Sequence, residues 1–197
     1  MVFCHPRHDT LCGAALQRVL AGLAAGGHES RVADLYAEGF VPELSPHDRS
    51  VHLIDHREQP DQRPDIARYA EDLRWCDTLV LVYPTWWAGQ PAMLKGWLDR
   101  VLVPGVAWEL PEGANRLRPL LHNVRRIVAV TTHGSPKRIN MLEGESGKRI
   151  VTRSIRVLCN RRCRTRWIAC YSVDRMSQGD RAAFLADVER RIVELGR

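Results

Sequence analysis

Two adjacent tryptophans, Trp86 and Trp87, lie between an apolar run at residues 78–83 and an amphipathic segment that begins near Pro91. The apolar run is typical of a buried parallel strand, which ends at Pro84 because proline has no N–H for a sheet ladder. Open α/β sheets bind ligands at the carboxyl ends of their strands, so the two indoles could stack on a flat aromatic ligand there. The alternative is that both rings fill the top of the hydrophobic core.

The first strand, loop and helix of the chain are spaced as in a phosphate-binding site. A short strand at residues 2–5 is followed by a loop and by a helix that begins near Thr10 and ends at Gly26. The free N–H groups at a helix N-terminus suit an anion, although capping is the commonest use of residues such as Asp9 and Thr10. Neither G-x-G-x-x-G nor G-x-x-x-x-G-K-[ST] occurs, which argues against a dinucleotide fingerprint or a P-loop.

A third turn, Thr131-Thr132-His133-Gly134, follows a predicted strand at residues 126–132. His133 could serve as a proton donor, or it could contribute only its backbone. We favour the backbone role, because a turn beside a bound ligand restricts the direction of its side chains.

A framework of alternating strands and helices is needed to bring these turns together. The hydrophobic pattern predicts strands at residues 2–5, 31–35, 78–83, 126–132 and 167–171, with helices between most of them. In the helix that begins near Pro91, Leu94, Trp97, Leu98, Val101 and Leu102 are predicted to face the core, and Lys95, Asp99 and Arg100 the solvent. This alternation is typical of an α/β fold with a parallel sheet.

Residues 36–64 show no periodicity and are predicted to form a solvated loop. The segment contains His47, His52 and His56, and the spacing of the last two would suit zinc only if they lay on a helix. We therefore predict no metal site in this segment.

The composition is that of one globular domain, residues 1–197. The chain is 45% hydrophobic, and no apolar run reaches the length of about 18 residues that a membrane-spanning helix needs. No signal peptide precedes the first predicted strand, which predicts a cytoplasmic location. The six cysteines do not form a disulfide framework, and Cys159 and Cys163, one helical turn apart, lack the further ligands of a metal site.

The net charge of +6 is concentrated in one stretch of the chain. It contains Lys148, Arg149, Arg153, Arg156, Arg161, Arg162, Arg164 and Arg166. A solvated helix face is one interpretation, and the others are attraction of dinucleotide phosphates or contact with an acidic partner surface. Nucleic-acid binding is disfavoured, because no aromatic platform is interleaved with the charges.

The stretch YPTWWAGQPAMLKGWLDRVLVPGVAW resembles the signature of the flavodoxin-like NAD(P)H:quinone oxidoreductases, the group of DT-diaphorase, bacterial drug-activity modulators and potassium-efflux regulators. The stretches CHPRHDTLCGAAL, DLYAEGFVPELS and TTHG support the resemblance. It implies a flavodoxin-like three-layer sandwich, with a five-stranded parallel sheet in the order 2-1-3-4-5. The chain is similar to the short bacterial members of the group.

The resemblance also implies which residues hold a flavin. For the phosphate these are His5, Thr10 and the N–H groups of Leu11 and Cys12, with Asp9 expected to point outward. For the ring they are Pro84, Thr85, Trp86, Trp87 and Ala88, and for its pyrimidine edge the turn of Thr131, Thr132, His133 and Gly134, with N–H groups from Trp87, His133 and Gly134.

The activity implied is NAD(P)H-dependent reduction of quinones or similar electrophilic acceptors, by ping-pong two-electron hydride transfer. FMN is the expected cofactor, with FAD possible, NADPH or NADH is the electron donor, and a homodimer is expected. Longer members have a Tyr and a His after the Thr-Thr-Gly-Gly turn, but no Tyr or His occurs here between Gly134 and Arg149, so those roles cannot be carried over. The alternatives are a regulatory flavoprotein subunit of a membrane transporter and a flavodoxin-type electron carrier.

Overall fold

The computed structural model describes residues 1–196 and contains a five-stranded parallel sheet. The strands are β1 at Val2–Phe3, β2 at Ala33–Asp34, β3 at Thr78–Pro84, β4 at Arg126–Thr132 and β5 at Arg164–Cys170. Their order across the sheet is β2-β1-β3-β4-β5, which confirms the predicted order 2-1-3-4-5. A separate antiparallel pair is formed by Trp108–Glu109 and Arg118–Pro119.

Helices cover both faces of the sheet. The longer ones are α1 at Leu11–Ala25, α3 at Ala67–Trp75, α4 at Ala92–Val101 and α7 at Gln178–Val193, and the shorter ones are α2 at Pro46–Ser50, α5 at Lys137–Leu142 and α6 at Ser146–Arg149. A π-helical segment, Ile150–Ile155, and a 3₁₀ segment, Arg156–Leu158, continue α6. Further 3₁₀ turns lie at Pro60–Gln62, Pro64–Ile66, Val173–Arg175 and Glu194–Gly196. This is a three-layer arrangement.

Two apolar clusters lie on either side of the sheet. On one face, Val80 and Val128 pack with Val19 of α1 and with Val188 and Ile192 of α7. On the other face, residues such as Leu81 and Ile127 pack with α3, α4 and the segment after α6. Because β3 and β4 are buried on both faces, each contains a continuous apolar run rather than an alternating pattern.

The segment after β2 differs from the predicted solvated loop. It contains α2, whose N-terminus is closed by a capping box between Ser45 and Asp48. His56 and Asp48 are buried, and His47 Nε2 lies 3.0 Å from the backbone oxygen of Gln62. The segment therefore packs against the domain rather than extending into solvent.

Arg100 of α4 joins this segment to the rest of the domain, and its predicted exposure to solvent is wrong. The guanidinium is buried and contacts Asp48 at 3.1 Å, Asp65 at 2.6 Å and the backbone oxygen of Val41 at 2.7 Å. Hydrophobic periodicity assigns every charged residue to the solvent face, so it cannot identify an arginine that meets its carboxylates inside the fold.

No helix within residues 1–196 has the length and apolarity required to cross a membrane. All six cysteines are free thiols, and Cys159 and Cys163 are buried in the core. Among the residues described, no cluster of three or more potential metal ligands occurs.

Candidate active site

The three predicted turns lie at the same edge of the sheet, where β1, β3 and β4 end. Backbone hydrogen bonds from Cys4 N to Val82 O at 2.9 Å and from Thr85 N to Thr132 O at 2.7 Å join these strand ends. The rings of His5 and Trp86 are 6.1 Å apart, so the turn after β1 adjoins the turn after β3. This is the topological switch point at which open α/β sheets bind ligands.

Residues 86–89 form a tight reverse turn that we call the aromatic turn. Trp86 and Gly89 exchange backbone hydrogen bonds of 3.2 and 3.1 Å, and Trp87 and Ala88 have φ angles of 49° and 58°. Trp87 is 100% exposed and Trp86 is 43% exposed. A fully exposed indole contributes nothing to the core, so the alternative that both rings fill the core is wrong.

The backbone of the aromatic turn is strained, and hydrogen bonds with the start of α6 stabilise it. A left-handed conformation costs a non-glycine residue about 1–2 kcal/mol. The Ala88 oxygen accepts hydrogen bonds from Ser146 Oγ at 2.6 Å and from Gly147 N at 3.3 Å, and Gln90 Nε2 donates to Gly147 O at 2.9 Å. These contacts from the start of α6 offset the strain and fix the direction of the turn. Nothing in the sequence signalled the contribution of Ser146 or Gly147.

Thr10 caps α1, and its Oγ1 accepts a hydrogen bond from Gly13 N at 3.2 Å. A Cβ atom at Gly13 would lie 2.0 Å from the His8 oxygen, so only glycine allows this close approach of the turn to the helix. Leu11 and Cys12 are the first two residues of α1, and N–H groups at such positions have no intrahelical acceptor. The N-terminus of α1 can therefore receive an anion.

The charged side chains in the turn between β1 and α1 point toward solvent and leave the N-terminus of α1 open to a ligand. Asp9 is exposed and pairs with Arg7, which confirms the predicted outward direction of its carboxylate. His5 Nδ1 lies 3.0 Å from Arg7 N and 2.7 Å from Arg7 O, so this ring nitrogen is engaged by the turn itself. His5 thus retains only Nε2 for a ligand.

His133 is buried, and each of its two ring nitrogens has a hydrogen-bond partner. Nδ1 lies 2.8 Å from Asn140 Oδ1, and Nε2 lies 3.3 Å from Thr85 Oγ1. The ring stacks on Tyr171 with a centroid distance of 4.6 Å. Burial lowers the pKa of His133 below its ordinary value, while the hydrogen bond with Asn140 acts in the opposite direction. The imidazole is therefore kept neutral near pH 7.

The backbone of His133 corrects one expectation. Its N–H donates to Cys170 O at 2.8 Å as part of the sheet, so it is not available to the pyrimidine edge of a ring. The N–H group expected from His133 is thus used by the sheet, and His133 itself lines the cleft, so a role of its side chain stays a prediction.

A cleft of about 620 Å³ opens between the aromatic turn and the turn after β4. Its walls are formed by Thr85, Trp86, Trp87, Ala88, His133, Gly134, Ser135, Asn140 and Glu143. Pro84, Thr131 and Thr132 are the buried strand ends beneath it, and Thr85 Oγ1 lies 3.0 Å from Thr131 Oγ1. The volume is in the range of sites for small aromatic ligands, which lie roughly between 300 and 1,000 Å³.

The chain is similar in sequence and in fold to known proteins. Residues 1–195 match the Flavodoxin_2 family, whose description is a flavodoxin-like fold. The solved structure of an NAD(P)H:quinone oxidoreductase from Methanothermobacter marburgensis superposes with a TM-score of 0.80 at 23% identity, covering 98% of this chain and 96% of that one. That similarity establishes the fold.

Two curated relatives share parts of the sequence. The chain is 34% identical over 109 residues to an Escherichia coli protein named uncharacterized NAD(P)H oxidoreductase YcaK, covering 55% of this chain and 54% of that one. It is 27% identical over 147 residues to rat NAD(P)H dehydrogenase [quinone] 1, covering 68% of this chain and 53% of the relative. The chain thus spans about half the length of the curated relatives that it matches.

Proposed function

Because the chain belongs to the Flavodoxin_2 family, we propose that it is a flavin-dependent NAD(P)H oxidoreductase that reduces quinones or similar electrophilic acceptors by ping-pong two-electron transfer. The observation that carries the proposal is the fully exposed Trp87, on a strained turn whose other indole, Trp86, lies 6.1 Å from the ring of His5. Such strain persists where function needs it, and an exposed indole can stack on a flat ring. The names of both curated relatives support the same class of reaction.

The residues at the sheet edge fit a phosphorylated aromatic cofactor. Thr10, His5 and the N–H groups of Leu11 and Cys12 would hold its phosphate, and the aromatic turn with Thr85 would hold its ring. We propose FMN rather than FAD, because the N-terminus of α1 offers one set of donors, enough for a single phosphate. When bound, the flavin would supply hydride chemistry between reduced nicotinamide and acceptor.

His133 is the candidate proton donor. The other ionisable groups that line the cleft or the small cavity behind it are Glu143, Glu145 and Lys148, and Lys148 pairs with Glu145 at 3.0 Å. The Thr85 hydroxyl lies 3.3 Å from Nε2 of the His133 ring, and the neutral ring would first take up a proton at Nε2 before donating one through this hydroxyl.

We further propose a cytoplasmic homodimer in which a second copy covers the open side of each cleft. Met141 and Leu142, at the end of α5, are 60% and 83% exposed, and the next residue, Glu143, lines the cleft together with the exposed Trp87. Exposed apolar surface of this kind is typical of an interface. The free thiols of all six cysteines suit a reducing compartment.

The test is the absorbance spectrum of the purified protein, followed by mass spectrometry of the released cofactor and anaerobic reduction with NADPH or NADH. We expect a bound flavin that the nucleotide bleaches and a quinone reoxidises, with parallel double-reciprocal plots. A stable blue semiquinone would favour an electron carrier, and a bound flavin with negligible turnover, recovered in a membrane complex, would favour a regulatory subunit. Absence of flavin binding would reject the proposal.

A further inference from the structure

Four arginines surround a second cleft at the opposite edge of the sheet. This arginine cleft has a volume of about 360 Å³ and is lined by Arg125, Arg126, Asn160, Arg162 and Arg164. Arg126 begins β4 and Arg164 begins β5, whereas the candidate active site lies at the carboxyl ends of the strands. At about 3.3 Å per residue, the length of β4 separates the two sites by roughly 20 Å.

This distance bears on one interpretation of the basic stretch. Arg162 and Arg164 lie at the far end of the sheet from the aromatic turn, so salt would largely screen their attraction for the phosphates of a dinucleotide bound there. The charge at this edge therefore needs another explanation.

The register of the sheet forces two of these arginines together. Arg126 and Arg164 are direct partners on neighbouring parallel strands, which run about 4.8 Å apart. Like charges placed opposite each other in a sheet are destabilising. A surface that is only solvated has no need of two arginines placed opposite each other. The repulsion between them lowers the stability of the fold, which points to an anionic ligand that would compensate both charges.

The fold does not supply the counter-charge itself. Within residues 1–196, none of the four arginines takes part in an ion pair with a carboxylate. Two acids adjoin this part of the chain: Asp77 accepts the Thr78 hydroxyl at 2.7 Å, and Glu194, which lines a neighbouring cavity with Arg126 and Arg164, pairs with Arg190 at 3.1 Å.

We propose that the arginine cleft binds a small polyphosphate, a compound with at least two adjacent phosphoryl groups. Guanidinium groups match phosphate oxygens with paired hydrogen bonds, and one phosphate would leave about half of the four positive charges uncompensated. The lining contains no apolar side chain, so the phosphoryl groups rather than an aromatic base are what the cleft recognises. The concave shape suits a small ligand better than a flat acidic protein surface.

The experiment uses flavin-saturated protein, so that the anion cannot occupy the proposed flavin site. Calorimetric titration with inorganic pyrophosphate measures the affinity, and thermal unfolding with and without pyrophosphate measures the stabilisation that binding causes. Sulfate at the same ionic strength serves as the comparison, because screening alone would act equally in both. We expect pyrophosphate to bind and to raise the melting temperature more than sulfate does.

Two variants localise the effect. Arg126→Gln and Arg164→Gln should each weaken pyrophosphate binding by roughly tenfold or more, since each removes a charged hydrogen-bond donor. In low salt without ligand, each should also raise the melting temperature, because the repulsion between the paired arginines is relieved. Arg116→Gln, at an exposed site between Trp108–Glu109 and Arg118–Pro119, is the matched control and should do neither.

The proposal is overturned if pyrophosphate stabilises the protein no more than sulfate at equal ionic strength. It is also overturned if Arg116→Gln weakens binding as much as Arg126→Gln, because binding would then follow net charge rather than this cleft. Unchanged affinity in both Arg126→Gln and Arg164→Gln would be equally decisive.

Discussion

The Nδ1 atom of His133 lies 2.8 Å from the Oδ1 atom of Asn140, and both side chains are buried. The amide nitrogen of Asn140 donates to Pro136 O at 3.0 Å, so its oxygen is the atom that faces the ring. Nδ1 of His133 therefore carries the proton, and Nε2 of the neutral ring accepts from Thr85 Oγ1 at 3.3 Å. Thr85 has one proton to give, so Thr131 donates to it at 3.0 Å. The result is a directed chain of hydrogen bonds from Thr131 to Asn140.

Replacing Asn140 by aspartate is expected to raise the pKa of His133, because a carboxylate at this position stabilises the imidazolium. NMR titration of histidine-labelled protein measures the effect directly. The resonances of His122, which is exposed and remote, provide the internal control. Identical titration of His133 in Asn140→Asp and the unmodified protein would mean that the two side chains do not interact.

The burial of His133 also predicts a pH dependence of stability. Burial lowers the pKa of His133 in the folded protein, so as the pH falls the unfolded chain binds this proton first. The free energy of unfolding should therefore decrease as the pH falls from about 6.5 toward the folded-state pKa. In His133→Gln this contribution should be absent, although some slope should remain because burial lowers the pKa of His56 as well. Urea unfolding across this range measures the difference, and equal slopes would contradict the prediction.

Trp87→Ala is expected to weaken flavin binding by about 1–3 kcal/mol if the indole stacks on the ring. Folding should be unaffected, because the side chain is fully exposed and alanine already occupies the next position at a similar φ angle. Fluorescence titration gives the affinity, and thermal unfolding of flavin-free protein gives the stability. Trp75→Ala, at the end of α3, is the control that should leave affinity unchanged. Equal affinities in Trp87→Ala and the unmodified protein would remove Trp87 from the site.

The central strands were predictable from the sequence and the edge strand was less so. β3 and β4 are buried on both faces, so each contains an uninterrupted apolar run, which in β4 covers residues 127–130. The predicted start of β5 at residue 167 is three residues late, because its first residues are arginines and a threonine that leave the pattern polar. Register in this part of the sheet is set by hydrogen bonds to β4, which hydrophobicity does not report.

The position of the site was predictable because strand order decides which turns meet. Its supports were not, because Ser146 and Asn140 reach the site only when the chain after β4 folds back over the cleft. The left-handed conformation of Trp87 and Ala88 had no signal either, since neither is one of the residue types that favour positive φ.

Thr10→Ala should reduce both stability and flavin affinity. The variant loses the cap on α1, which costs about 1 kcal/mol, and it also loses the hydroxyl proposed to contact the phosphate. Ser177→Ala is the matched control, because the Ser177 side chain also caps the N-terminus of a helix, α7, but does not line the cleft. It should lower the free energy of unfolding by a similar amount without changing flavin affinity. If both variants lose affinity equally, Thr10 acts only as a helix cap.

Arg100→Ala is expected to lower the free energy of unfolding by about 3–5 kcal/mol, because it leaves the carboxylate of Asp48 buried without its partner. Burial alone would raise the pKa of Asp48, and the hydrogen bonds from Ser45 and Arg100 outweigh burial and hold that pKa below its ordinary value. The double variant Arg100→Met with Asp48→Asn should recover much of the loss, since no unpaired charge remains buried. Lys95→Ala breaks the exposed pair of Lys95 with Asp99 on the same helix and should cost less than about 1 kcal/mol. If urea unfolding gives equal losses for Arg100→Ala and Lys95→Ala, the buried pair does not hold the segment after β2 against α4.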